Sequence, residues 1–139
     1  MSQIPTKQVL NLSVAKDIAQ AAELEAQSHG WNVVIALVDD GGHLVYLQRM
    51  DGTQLASIAV AVEKATSAVH FKRPTKAFEE SLAGGRQAIL SLPGALPVEG
   101  GLPLVYRGEI IGAIGVSGVQ SDQDGVIAQA GTSLLESLL

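Results

Sequence analysis

Residues 33–49 read VVIALVDDGGHLVYLQR, which is two apolar runs on either side of a short polar segment rich in Gly. Its first six residues are apolar and mostly β-branched, and Asp39-Asp40-Gly41-Gly42 supplies the residue types that favour a tight turn. A second apolar run follows the turn. The pattern predicts a β-hairpin with strands over Val33–Val38 and His43–Arg49.

Helical patterns flank this hairpin on both sides. Apolar residues recur with helical spacing from about Thr6 to His29, and Gly30 is placed to end that helix. A second helix is expected from Leu55 to His70, built mainly from Ala, Val and Ile. It should be largely buried, because its interior carries only two charged residues.

The second half of the chain predicts another hairpin and a last helix. Pro74 should end the long apolar helix, and Thr75 can cap a short helix after it. The stretch Leu92–Pro103 is rich in Pro and Gly and predicts a shaped loop with at most a short strand. Strands are expected at Leu104–Tyr106 and Glu109–Ser117, and the capping pattern Ser121 to Asp124 should start the final helix.

These elements predict an α+β fold with a largely antiparallel sheet covered by helices. A length of 139 residues suits one domain spanning 1–139. Hydrophobic residues reach 47% and charged residues only 17%, so we expect a homo-oligomer that hides part of this apolar surface.

Charge and composition exclude several classes of function. The net charge of −5 argues against nucleic-acid binding, and the absence of Cys excludes disulfides and thiolate metal sites. No apolar run is long enough to predict a membrane span, and the first ten residues lack the pattern of a secretion signal, so a cytoplasmic location is expected.

The sequence contains no recognisable catalytic motif, which favours a protein without enzyme activity but does not decide the question. The glycines of the last strand do not match a dinucleotide fingerprint, and no phosphate-binding loop occurs. Ser117 lies in a Gly-rich context that departs from a nucleophile elbow by one residue. The histidines lie on three different elements with no zinc-binding spacing, so no metal site is predicted.

A local excess of basic residues is the strongest hint of a ligand. Arg49, Lys72, Arg73 and Lys76 account for four of the nine Lys and Arg residues, and three of them follow the apolar helix directly. Such a cluster suits a carboxylate or phosphate. The alternative is a solvated loop whose cations form ordinary surface ion pairs.

Lys64 is an almost isolated charge in the apolar helix. Burial there would lower its pKa, or it would pair with Glu63, Asp51 or a ligand acid. The alternative is that its ammonium reaches solvent along the helix surface.

Six segments in order carry a resemblance that covers nearly the whole chain. They are Val38–Leu44, Arg49–Gly52, Lys64–Thr66, Phe71–Thr75, Gly100–Pro103 and Gly112–Gly118. Together they resemble the GlcG/HbpS-like family, which includes the carboxy-terminal domain of PduO-type proteins. The resemblance implies a profilin-like three-layer α/β/α fold with a mainly antiparallel sheet of about five strands, and an oligomeric assembly.

The resemblance also implies a function. Some relatives bind haem, and others are encoded beside genes for glycolate or diol utilisation. It places a ligand pocket at Arg49, Asp51, Lys64, Arg73, Thr75 and Ser117. His70 joins these candidates because basic residues surround it in the sequence.

Three hypotheses follow. The first is a small-ligand-binding protein that takes haem or another tetrapyrrole, with basic residues on the propionates and His70 as an axial ligand. The second is an enzyme acting on a small organic acid or aldehyde, with Lys64 as base or nucleophile and Arg73 as carboxylate clamp. The third is a non-catalytic accessory or scaffold subunit of a glycolate- or diol-utilisation pathway.

Overall fold

A computed structural model describes residues 2–138. Along the chain the elements are α1 (Leu12–His29), β1 (Val34–Asp39), β2 (Leu44–Arg49), α2 (Ser57–Phe71), α3 (Thr75–Ala83), a 3₁₀ helix (Gln87–Ser91), β3 (Gly101–Tyr106), β4 (Glu109–Ser117) and α4 (Ser121–Glu136). The mixed α/β fold class predicted from the sequence is confirmed.

One antiparallel sheet organises the molecule. Its strand order is β2-β1-β4-β3, so the two predicted hairpins are present and the pairing of β1 with β4 joins them. The two edges of the sheet are therefore β2 and β3. This arrangement leaves the outer side of β3 without a strand partner.

The expected count of about five strands was slightly too high, because residues 2–138 form four. The segment 92–100, where a fifth strand was sought, contains Pro93 and Pro97, which cannot donate to a strand ladder. Its backbone bonds to helices instead, since Leu96 N donates to the Ser67 hydroxyl at 3.0 Å.

Helices cover both faces of the sheet, which gives the predicted three layers. Along β1, Ile35 and Leu37 pack in the core beneath α1 and α4. The alternating residues Val34, Ala36 and Val38 pack on the side of α2. Both faces of β1 are apolar because both are buried, so its sequence shows a continuous apolar run rather than alternation.

Small residues let α2 lie close to the sheet. Gly115 in β4 sits directly under α2, where an added Cβ would overlap the backbone carbonyl of Ala61 and lie 2.7 Å from the Ala65 nitrogen. The glycine is thus a helix-packing site. The Ala-rich composition of α2 serves the same close approach.

The first helix starts six residues later than predicted. Asn11 caps it, since its side-chain oxygen accepts a hydrogen bond from Val14 N at 2.9 Å. Leu10 is buried in the core ahead of the helix. The apolar spacing from Thr6 onward therefore reflects an irregular segment anchored by one buried side chain. Gly30 ends the helix in a left-handed conformation, as predicted.

Two predicted caps were wrong. Thr75 is the first residue of α3, and its hydroxyl accepts a hydrogen bond from Gly101 N instead of capping the helix. In α4 the reciprocal capping pair is Gln120 with Gln123. Asp124 is buried and makes a long-range contact described below.

Candidate functional site

A buried ion pair joins α2 to α4. Lys64 is 1% exposed, and its Nζ donates to Asp124 Oδ2 at 3.0 Å and to the Val116 carbonyl at 2.9 Å. Asp124 Oδ1 accepts a hydrogen bond from Val119 N at 3.1 Å. Burial raises the pKa of Asp124, and the neighbouring Lys64 ammonium opposes that rise. The alternative of a solvent-reaching Lys64 is wrong.

Two glycines make room for this ion pair. Lys64 belongs to the helix on one sheet face and Asp124 to a helix on the other. The Lys64 side chain passes the end of the sheet at Gly100, where an added Cβ would lie 2.8 Å from Nζ. Gly101 packs against the Lys64 backbone and donates to Thr75. Lys64 and Thr75 are thus brought together around the start of β3.

Ser117 is buried and directly follows Val116, whose carbonyl accepts a hydrogen bond from Lys64. Its hydroxyl donates to the Ser57 hydroxyl at 3.1 Å, and Ser57 also accepts from the Gln54 amide at 3.1 Å. Ser57 begins α2, whereas Lys64 is two helical turns further along. The described contacts of the Ser117 hydroxyl include no acid or imidazole that could act as a base.

His70 and Arg73 point in different directions. The His70 Nε2 lies 3.1 Å from the Gly41 carbonyl, in the turn between β1 and β2. The Arg73 Nε donates to the Phe71 carbonyl at 3.0 Å, and the guanidinium carbon lies 5.5 Å from the centre of the Phe78 ring.

Arg49 and Asp51 occupy a separate polar cleft of about 370 Å³, shared with Glu23, Gln27, Asn32 and Met50. Arg49 ends β2 and His70 contacts the turn that precedes it, so about 20 Å of strand separates them. The structure therefore brings Lys64 and Thr75 together, with Ser117 directly after the Val116 carbonyl that Lys64 contacts. It places Arg49, Asp51, His70 and Arg73 elsewhere.

Two adjoining cavities of about 520 and 380 Å³ lie beside β3. Pro74, Leu102 and Gln129 belong to the walls of both, so together they form one groove along the free edge of the sheet, between α4 and the connection from α2 to α3. We call it the edge groove. Lys76 lines the larger cavity and Lys72 the smaller one.

The edge groove also carries acidic residues. Glu25 and Glu99 line the larger cavity and Glu136 the smaller. Burial raises the pKa of Glu99, and the neighbouring Lys76 opposes that rise. Sequence reasoning missed most of this groove, because its walls come from four separate parts of the chain. The basic residues were the only local signal. Among residues 2–138, no cluster of three or more His, Cys, Asp or Glu side chains is arranged to hold a metal ion.

Comparison with known proteins identifies the family. A sequence model described as "Haem degrading protein HbpS-like" matches residues 10–133. The chain belongs to the HbpS-like family. Within it, Protein GlcG of Escherichia coli strain K12 is 44% identical over 112 residues, which cover 81% of this chain and 84% of GlcG.

Solved structures of HbpS-like relatives share the fold. Klebsiella pneumoniae protein ORFY superposes with a TM-score of 0.92 at 29% identity, and the alignment covers 100% of this chain and 99% of the ORFY chain. The PduOC chain, solved in complex with haem, superposes with a TM-score of 0.81 at 28% identity, and the alignment covers 91% of this chain and 94% of the PduOC chain. Haem binding is thus found among the relatives. No helix within residues 2–138 has the length and hydropathy needed to cross a membrane.

Proposed function

We propose that this HbpS-like protein binds haem or another tetrapyrrole. The observation that carries the proposal is its similarity, over nine-tenths of the chain, to PduOC solved with haem. The family description, haem degrading, points to the same class of ligand. Haem supplies a redox-active iron wherever it is held, and the protein controls its axial ligands and surroundings.

The residues present fit such a ligand. The edge groove has ligand-sized cavities and lies next to the basic stretch that follows α2. Apolar walls suit the macrocycle, and the ammonium groups of Lys72 and Lys76 suit its propionates. The propionates must then lie on the side of these lysines and away from the carboxylates of Glu25, Glu99 and Glu136. These features support binding more than they support a purely structural subunit, which would need no cavity.

Titration of the purified protein with haemin tests the proposal. We expect a saturable Soret band, shifted from that of free haemin, with a defined number of haems per chain. An unrelated acidic protein of similar size serves as the control. Spectra that match this control at every haemin concentration would contradict the proposal.

The predicted axial role of His70 needs its own variant. His70→Ala and His43→Ala form a matched pair, because both rings are exposed and contact the same turn at Gly41 and Gly42. If His70 ligates the iron, only its replacement changes the position of the Soret band. Identical spectra for the two variants and the wild type would remove His70 from the proposal.

The enzyme hypothesis has weaker support from the geometry. A nucleophilic lysine needs an unprotonated nitrogen, whereas Lys64 donates to two acceptors and contacts the Asp124 carboxylate. Those contacts occupy the Lys64 nitrogen with acceptors of the protein itself. Borohydride trapping with carbonyl metabolites tests the hypothesis, since a covalent adduct on Lys64 would revive it.

A further inference from the structure

The free edge of β3 restricts what can occupy the groove beside it. Val116 N donates to the Gly100 carbonyl, so the backbone N–H and C=O groups of Gly100 face β4. Because these groups alternate in direction along a strand, those of Gly101 and Pro103 face the free edge. Of these two, Gly101 N is already bonded to Thr75 and Pro103 has no N–H. An added β-strand would find no free donor at either position, which disfavours edge pairing with another chain.

The walls of the edge groove are apolar in the middle. The apolar side chains are Pro74, Leu102, Pro103, Val105, Ile110, Val126 and Ala130. Val105 is 51% exposed although it is a large aliphatic residue. A flat apolar ligand that covered this strip would remove it from water and gain the corresponding hydrophobic free energy.

Lys72 is the cation that borders this strip, and its backbone is strained. It follows α2 in a left-handed conformation with φ of +54°, a position where glycine is the usual residue. Within residues 2–138 the Lys72 ammonium makes no ion pair, whereas the next residue, Arg73, is turned onto Phe78.

We propose that the edge groove is the binding site for a flat amphipathic carboxylate, with Lys72 holding a carboxylate and the strip around Val105 covering the apolar ring system. This inference rests on the proposed function and gives it an address. It also assigns to Lys72 the role that the sequence suggested for Arg73.

The groove walls hold no His, Cys, Met or Tyr within the described chain. A ligand there is recognised through its ring system and its carboxylates, and not through iron. Protoporphyrin IX without metal should therefore bind as tightly as haemin.

The test uses two variants of the full chain, each with a matched control. Lys72→Gly removes the ammonium and places glycine at a positive φ. Its control is Arg107→Gly, which also removes a positive charge at a positive φ of +49°. Arg107 lies in the turn between β3 and β4 and does not line the groove. Val105→Asp places a charge in the strip. Leu44→Asp does so on the opposite sheet edge, where Leu44 is 54% exposed.

Dissociation constants for haemin and protoporphyrin IX are measured by fluorescence quenching of Trp31 and by absorbance. We expect Lys72→Gly to weaken binding about tenfold or more, as the loss of a charge-assisted contact does. We expect a loss of about the same size for Val105→Asp, because a bound ring system would have to remove the new carboxylate from water. The two controls should bind like the wild type. Thermal unfolding without ligand should be unchanged or higher for Lys72→Gly, which separates lost binding from lost folding.

The outcomes separate the two proposals. If the wild type binds neither porphyrin, the proposed function and the groove both fail. If the wild type binds and either groove variant binds equally well, the groove assignment is overturned and porphyrin binding stands. Tight binding of haemin with none of protoporphyrin IX would likewise overturn the groove, because recognition would then depend on iron.

Discussion

At the scale of single residues, Lys64 and Asp124 form the contact with the largest expected effect on stability. Both side chains are almost completely removed from water, and each depends on the other to neutralise its charge. Removing one partner of a buried pair leaves an uncompensated charge in a medium of low polarity. The exposed pair Lys76–Glu80, with 3.9 Å between its charged atoms, has no such dependence.

Asp124→Ala should therefore lower the free energy of unfolding by about 3–5 kcal/mol. Urea denaturation monitored by circular dichroism measures this. The double variant Lys64→Met/Asp124→Leu should recover much of the loss, because it removes both charges and keeps apolar volume. Glu80→Ala is the control and should change stability by less than about 1 kcal/mol. Equal losses for Asp124→Ala and Glu80→Ala would contradict this view of the pair.

Sequence reasoning reached only half of this contact. Lys64 stood out because it was nearly alone among apolar helix residues. Its partner did not, because Asp124 lies 60 residues away and three residues after Ser121, in a spacing typical of a helix cap. Local spacing carries no information on which side chains meet past the end of a sheet.

At the scale of elements, the hairpins were predictable and the start of α1 was not. Turn residues specify a hairpin within a few positions, so strand Glu109–Ser117 was predicted with its observed bounds. The start of α1 depends instead on Leu10, whose burial in the tertiary core keeps the preceding segment out of the helix. Helix ends set by long-range packing are invisible to a local pattern.

The close packing of α2 on the sheet depends on Gly115. Gly115→Ala should destabilise the fold by about 1–3 kcal/mol, because the new methyl group overlaps the backbone of α2 and the helix has to move. Gly84→Ala is the control, since its nearest neighbour would be 3.4 Å away and its φ is −78°. Thermal unfolding compares the two. A Gly115→Ala variant as stable as Gly84→Ala would mean that α2 is less closely packed than the structure indicates.

At the scale of the whole molecule, the surface bears many large apolar side chains. The exposed ones include Ile4, Val9, Leu24, Leu55, Leu90, Val105 and Val126. A chain of this size has limited interior, and an exposed apolar surface of this kind is typical of subunit contacts. The prediction of a homo-oligomer made from composition agrees with this surface and awaits measurement.

Light scattering coupled to size-exclusion chromatography tests it. We expect a mass of at least twice the 14.4 kDa of one chain at micromolar concentration. A monomer mass across the accessible concentration range would contradict the expectation. Repeating the measurement with haemin shows whether the ligand and the subunits compete for the same surface, since Val105 and Val126 belong to the edge groove.

Fold and site thus differ in how far sequence could predict them. Hairpin turns and apolar periodicity are local, and they placed every strand of the sheet to within a few residues. The edge groove is assembled from α1, α3, β3, β4 and α4, with the loop before β3 and the residues that join α2 to α3. Sequence reasoning chose Arg73 as the carboxylate clamp, whereas the cations that line this groove are Lys72 and Lys76. The direction of a side chain after a helix depends on backbone and side-chain torsions that the residue types alone do not specify.

The ion pair at the end of the sheet also governs how this molecule comes apart. Lys64 and Asp124 connect helices on opposite faces of the sheet. If either helical layer separated from the sheet, the ion pair would break and the layer that stays would keep a charged side chain without its partner. Partial opening is therefore penalised from both sides, and amide protons in α2 and α4 should exchange with solvent through one common opening event rather than two. The ion pair thus couples the two helical layers directly, in addition to the apolar contacts that each layer makes with the sheet.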